Sequence, residues 1–210
     1  ISSDASTAEG TALKIINCDF KLSSTHDVGG SLYLVVNGAT SKSIEVTGCK
    51  FFECLSEKGN GIDIVSNQQK ALFKFTDCDF QWKTSINFKA ISGEIENCNF
   101  SEFSQPIRYE PNYEATADAN SPSFKITKCK FNQRIDNTHS LLYFVPKTSS
   151  NFIFESNDIV FTNNDSTYVI DSDSFTTLVG QWTFQGNTLI NANRQRIKTE
   201  NAILIPAECE

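Results

Sequence analysis

Seven copies of one eight-residue phrase, roughly 30 residues apart, limit what this chain can fold into more than any other feature of it. Five copies carry cysteine, "LKIINCDF", "IEVTGCKF", "FKFTDCDF", "GEIENCNF" and "FKITKCKF", and two carry asparagine in its place, "FIFESNDI" and "WTFQGNTL". The anchors are Cys18, Cys49, Cys78, Cys98, Cys129, Asn157 and Asn187, at steps of 31, 29, 20, 31, 28 and 30 residues. Internal periodicity of this length is the signature of stacked repeats, each of which buries its apolar face against its neighbours.

Three columns of the phrase are apolar. Five residues before the anchor stand Leu13, Ile44, Phe73, Gly93, Phe124, Phe152 and Trp182; three before it Ile15, Val46, Phe75, Ile95, Ile126, Phe154 and Phe184; two after it Phe20, Phe51, Phe80, Phe100, Phe131, Ile159 and Leu189. Spacing of two residues on either side of the anchor is strand periodicity with one buried face. The parity slips between the two halves, so a tight corner lies just before the anchor. Asn17, Gly48, Asp77, Asn97, Lys128, Ser156 and Gly186 stand there, mostly types that tolerate a left-handed backbone. A second apolar piece follows each anchor after a variable gap: "GGSLYLVV", "GNGIDIV", "SINF", "PIRY", "LLYFV", "TYVI" and "AILI". Two or three short strands per repeat and no helical pattern predict an all-β fold, a right-handed parallel β-helix (solenoid) of about seven coils with an inward Cys/Asn ladder. Residues 1–210 read as a single such domain.

In-register stacking makes a second expectation. Four residues before the anchor the first five copies read Lys14, Glu45, Lys74, Glu94 and Lys125, and one residue after it Asp19, Lys50, Asp79, Asn99 and Lys130. Equivalent residues of stacked strands lie about 4.8 Å apart, where opposite charges attract and like charges repel. The cysteine column is read most simply as small buried side chains stacked one on the next. Disulfides between adjacent copies and a metal site are the alternatives, although tetrahedral zinc wants four converging ligands rather than a line. Cys54 neighbours this interior, and Cys209 has no partner in the scheme.

Composition excludes some partners. A net charge of -7 and a sequence pI near 4.9 argue against nucleic acid, whose phosphates are held mainly by Lys and Arg. No apolar run is long enough to insert in a membrane, and the first residues have no leader-like segment. The chain contains no Met even at its first position, which points to a piece of a longer protein.

The phrase "CKFFEC" followed by "GNGIDI", and "CDF" followed at a distance by "GGSLYL", resemble the strands of right-handed parallel β-helix repeat proteins. The likeness is nearest to large protist surface proteins and looser to the polymorphic outer-membrane protein family, and covers roughly Leu13 to Ile205. It implies an extracellular or cell-surface location and a passenger-like adhesive or structural role.

Chemistry-bearing clusters are sparse. Asp77 and Asp79 flank Cys78, but the neighbouring copies offer Gly48, Lys50, Asn97 and Asn99, so no acidic wall forms. Asp158, Asp165, Asp171 and Asp173 could offer oxygens to calcium, yet the glycine turn of a calcium loop is missing. His26 and His139 lie 113 residues apart with nothing to bring them together, and no nucleophile elbow or phosphate-cradling loop occurs. We therefore expect no catalytic or metal residues and no cofactor. The longest departure from the repeat, "RYEPNYEATADANSPS", supplies Arg108, Tyr109 and Tyr113 as candidate binding residues, with Trp82 as a further aromatic contact. Asn99 and Asn164 match the glycosylation acceptor pattern. The functional expectation is a non-catalytic surface or secreted segment, an adhesin or rigid spacer meeting a protein or glycan through lateral loops. The alternatives are a carbohydrate-active or tailspike-like protein and a subunit that associates end to end into filaments.

Overall fold

A computed structural model of the chain describes residues 2–4, 13–26, 29–36, 43–56, 61–66, 71–90, 92–103, 105–110, 123–132, 140–144, 151–160, 170–172, 182–190 and 197–198. Among these residues every regular element is a strand, and every strand pairing is parallel. The fold is all-β, built from repeats.

Sheet I holds the first half of each phrase: Leu13–Ile16, Ser43–Thr47, Leu72–Thr76, Ser92–Glu96, Ser123–Thr127, Asn151–Glu155 and Trp182–Gln185, in that order. Sheet II holds the second half: Asp19–Lys21, Lys50–Phe52, Asp79–Gln81, Asn99–Ser101, Lys130–Asn132, Asp158–Val160 and Thr188–Ile190. Sheet III takes the later apolar pieces: Ser2–Asp4, Leu32–Val36, Ile62–Ser66, Ile86–Lys89, Ile107–Tyr109, Leu142–Phe144, Ile170–Ser172 and Ile197–Lys198. A parallel pair needs a long crossover between its strands. Here the crossover from one strand to its neighbour in sheet I passes through strands of sheets II and III. The strand after Ile170–Ser172 in sheet III is Ile197–Lys198, and "AILI" lies outside the described residues.

The corner before each anchor forms as its residue types require. Asn17, Gly48, Asp77, Asn97, Lys128, Ser156 and Gly186 all have φ between 53° and 64°. That turn aims the anchor and the residue two beyond it into the same interior as the sheet I residues. Phe20, Phe51, Phe80, Phe100 and Phe131 consequently stack face to face, with ring centroids 4.9, 5.1, 4.7 and 4.9 Å apart. Gly93 breaks the bulky column in sheet I for a steric reason. A Cβ there would lie 2.9 Å from the Phe88 ring and 3.0 Å from the Phe124 ring, which already fill the space.

The anchors do more than fill volume. A left-handed corner leaves an N–H and a carbonyl near the anchor side chain of the next copy, which serves one or both of them. Asn157 Oδ1 accepts from the Cys129 N–H at 2.9 Å while its Nδ2 donates to the Ile126 carbonyl at 3.0 Å, and Asn187 treats Asn157 N–H and the Phe154 carbonyl alike, at 3.0 and 2.8 Å. Cysteine fills the role more weakly: Cys49 Sγ lies 3.4 Å from the Cys18 N–H and 3.6 Å from the Ile15 carbonyl. The six described cysteines are free thiols. Burial pushes the Cys49 and Cys98 thiols up from their ordinary range, so they stay protonated.

On the outer face of sheet I, Lys14, Glu45, Lys74, Glu94 and Lys125 are successive register partners. Lys14 pairs with Glu45 at 2.9 Å, and Glu94 with Lys74 at 3.5 Å and Lys125 at 3.2 Å. Glu96 adds contacts to Lys74 at 3.0 Å and Lys128 at 3.2 Å, and these two cations hold its carboxyl below the usual glutamate range.

Candidate functional site

A second corner, after sheet II, sets the surface. Leu22, Glu53, Trp82, Lys83 and Glu102 have φ between 50° and 60°, although none is a turn-forming type. The inward residue that follows is Ser23, Cys54, Thr84 or Phe103; Cys54 therefore belongs to this second column, with Ser23 Oγ 3.6 Å from its sulfur and Thr84 Oγ1 3.2 Å from its N–H. Four of these corners could be superposed were it not for one extra residue. Thr84 comes six residues after its anchor, whereas Ser23, Cys54 and Phe103 come five after theirs. The insertion puts two consecutive residues, Trp82 and Lys83, in the left-handed region. Trp82 is pushed outward, 46% exposed, with its ring edge-on to Phe52 at 6.2 Å, and Leu22 stands exposed at the equivalent corner two copies away. A bulky residue in this conformation costs about 1–2 kcal/mol, and such strain gathers at functional positions.

Sheet III carries the other group. Between its inward residues runs an outward column in strict register, Tyr33, Asp63, Asn87, Arg108 and Tyr143, and the backbone register continues from Tyr143 to Asp171 and Lys198. Asp63 and Asn87 are nevertheless buried. The Asp63 carboxylate accepts from the Gly29 N–H at 2.6 Å and from Asn87 Nδ2 at 2.7 Å, which fixes the Asn87 amide so that its Oδ1 turns away, buried and without a partner. Arg108, in register beyond it, donates from Nε and Nη2 to Glu110 Oε2 at 3.0 and 2.9 Å and holds its guanidinium 4.7 Å from the centre of the Tyr143 ring. A half-exposed guanidinium over an aromatic face, beside a carboxylate, is a surface suited to recognition through stacking and hydrogen bonds.

Compared with family models, curated proteins and solved structures, the chain matches none.

The residues singled out in the sequence fare differently. Arg108 lies on the outer face, with Tyr143 rather than Tyr109 as its aromatic neighbour. Tyr109 is a correction: it is the last residue of strand Ile107–Tyr109, fully buried, its ring 4.5 Å from that of Phe124, so it offers nothing to a partner. Its column, Leu34, Ile64, Phe88 and Tyr109, points inward by strand alternation. Tyr113, Asn164, His139, Asp165, Asp173 and Cys209 lie outside the described residues, and of Asp171 only the strand position is described. Asn99 lies in strand Asn99–Ser101 and accepts from Asn132 Nδ2 at 3.4 Å. Asp77 accepts from Asn97 Nδ2 at its corner, and Asp79 faces Lys50 and Asn99 in register. Among the described residues no three His, Cys, Asp or Glu converge as metal ligands, and no helix is long and apolar enough to cross a membrane. Sequence reasoning missed Asp63, Asn87, Glu110 and Tyr143. For Asp63, Asn87 and Tyr143 the signal was the middle letter of "IDI", "INF" and "LYF", the place Tyr33 and Arg108 hold in "LYL" and "IRY"; Glu110 follows "IRY" and has no such signal.

Proposed function

We propose that the chain is a right-handed parallel β-helix serving as a non-catalytic surface or secreted segment: a rigid spacer whose sides carry recognition groups. The observation that carries this reading is the unbroken register of equivalent residues in the three long sheets, which makes the body stiff along the stacking direction. On the outer face of sheet I the charged side chains pair with one another, and Arg108 pairs with Glu110. Trp82, displayed by the extra corner residue, and the Arg108–Tyr143 pair are the surfaces offered to a protein or glycan on another cell or matrix.

Two measurements test it. Spin labels at the exposed outward positions Asp19 and Thr188, six stacking steps apart, should report a narrow distance distribution whose backbone component is about 29 Å at about 4.8 Å per step. A broad distribution would end the spacer reading. On glycan and cell-surface arrays, Trp82→Ala and Arg108→Ala should lower retention without altering thermal unfolding. Turnover of an acidic polysaccharide by the chain would replace the proposal with an enzymatic one.

A further inference from the structure

We propose that the cysteine column is a binding site for soft d10 ions that favour two sulfur ligands in a line, Cu(I), Ag(I) or Hg(II). The proposal does not depend on the spacer reading. Cys18, Cys49, Cys78, Cys98 and Cys129 occupy consecutive copies, one per strand step. Their thiols share one orientation: each Sγ lies 3.3 or 3.4 Å from the carbonyl two residues before it. Sulfurs held alike on in-register strands repeat at the strand separation. The phenylalanine column two residues farther on measures that repeat inside the same core, at 4.7 to 5.1 Å between ring centres. Two bonds of the zinc–thiolate length, about 2.3 Å, laid end to end span about 4.6 Å. The line of thiols that cannot close a tetrahedron around zinc therefore matches the span of an S–M–S unit to within a few tenths of an ångström. Thiolate softness selects the same ions.

Charge balance fixes the stoichiometry of protons. The column from Cys49 to Cys129 belongs to the apolar core with Phe51, Phe75, Phe80 and Ile95, the Asp77 carboxylate beside Cys78 being an outward neighbour, and a net buried charge there is costly. A monovalent ion stays neutral if one thiol gives up its proton and the other coordinates as the thiol: one M–S⁻ bond and one M–S(H) bond form, and one proton leaves to solvent. Hg(II) forms two M–S⁻ bonds and releases two protons. Cys18 is only half-buried, whereas Cys49, Cys78, Cys98 and Cys129 are buried. The run stops at Asn157, whose amide is a hard ligand in the same seat.

That last fact supplies variants compatible with folding, because asparagine already occupies this position in two copies. Cys49→Asn combined with Cys98→Asn leaves Cys18, Cys78 and Cys129 with no thiol next to them in the column, and leaves Cys54 and Cys209 in place as controls. The reduced full chain is titrated with Ag(I) against a competing chelator, proton release is followed, and the metal-edge X-ray absorption is recorded. The expected result is a tight phase releasing one proton per ion, with a shell of two sulfurs and no nitrogen or oxygen. Cd(II), which wants four ligands, should show no such phase, and the double variant should lose it. Cys78→Asn alone, which preserves the Cys18–Cys49 and Cys98–Cys129 pairs, should keep two ions per chain and the two-sulfur shell, since five thiols in a line form at most two separate pairs. Equal Ag(I) binding by the double variant, or a shell of three or more donors in the parent chain, overturns the proposal.

Discussion

Replacing Asn157 by alanine tests how the anchor column holds the corners. The side chain is fully buried and makes three hydrogen bonds: from the Cys129 N–H at 2.9 Å, to the Ile126 carbonyl at 3.0 Å and to Asn187 Oδ1 at 3.0 Å. Alanine leaves the Cys129 N–H and the Ile126 carbonyl facing each other across a dry gap. Each buried unpaired group costs about 1–3 kcal/mol, so the loss should total about 2–6 kcal/mol. Asn187 Oδ1 retains the Asn157 N–H at 3.0 Å and adds little to the penalty. Cysteine at the same place should be milder, about 1–2 kcal/mol, because its sulfur is a weak donor and acceptor that occupies this seat in five copies. Urea unfolding reads both numbers, with an unchanged slope showing that the compactness of the two states is preserved. An alanine variant within about 0.5 kcal/mol of the parent chain, or a cysteine variant no better than alanine, would refute the bridging role, because surface-like changes have that size.

Three further outcomes follow from the same packing. Phe80→Ala should cost about 3–5 kcal/mol, since its ring is stacked on both sides and edge-on to Phe75, whereas Phe20→Ala, with one stacking partner and partial exposure, should cost clearly less; equal losses would argue against the stack. Gly93→Ala, volume-increasing against the Phe88 and Phe124 rings, should destabilise by about 1–3 kcal/mol in the same assay, and a neutral result would mean that the rings yield freely. Glu96 has its folded carboxyl held low by Lys74 and then Lys128, so its contribution is present above the ordinary glutamate range and is lost as pH falls through the folded value. The stability gap between the parent chain and Glu96→Gln should therefore shrink on acidification and in high salt; a gap independent of pH would refute the assignment.

What was legible in the sequence is what the interior selects column by column. Phe20, Phe51, Phe80, Phe100 and Phe131 must meet one another, so one residue type recurs at one offset from the anchor, and the corner residues before the anchor recur because Gly, Asn and Asp enter the left-handed region at low cost. The second corner was hidden because tertiary pairing overrides propensity there. Leu22, Glu53 and Glu102 accept a strained φ while their N–H groups reach Phe52, Gln81 and Asn132 carbonyls of the next copy at 3.0, 3.2 and 3.2 Å, and nothing in their side chains announces it. The Asp63–Asn87–Arg108–Tyr143 column was hidden for a different reason. Sheet III strands start 14, 13, 8, 9, 13, 13 and 10 residues after their anchors, so an alignment fixed on cysteine drifts before it reaches them. Tyr109 shows the consequence. Read from its proline- and tyrosine-rich neighbourhood it is a loop residue, but read from alternation with Ile107 it faces inward, and burial of its ring against Phe124 decides for the alternation. The outer column also carries no single residue type, because each position answers to its own set of neighbours: aspartate to the Asn87 amide and the Gly29 N–H, arginine to the Tyr143 face and Glu110. A surface chosen pair by pair is the kind that can diverge to suit a partner while the core beneath it stays periodic.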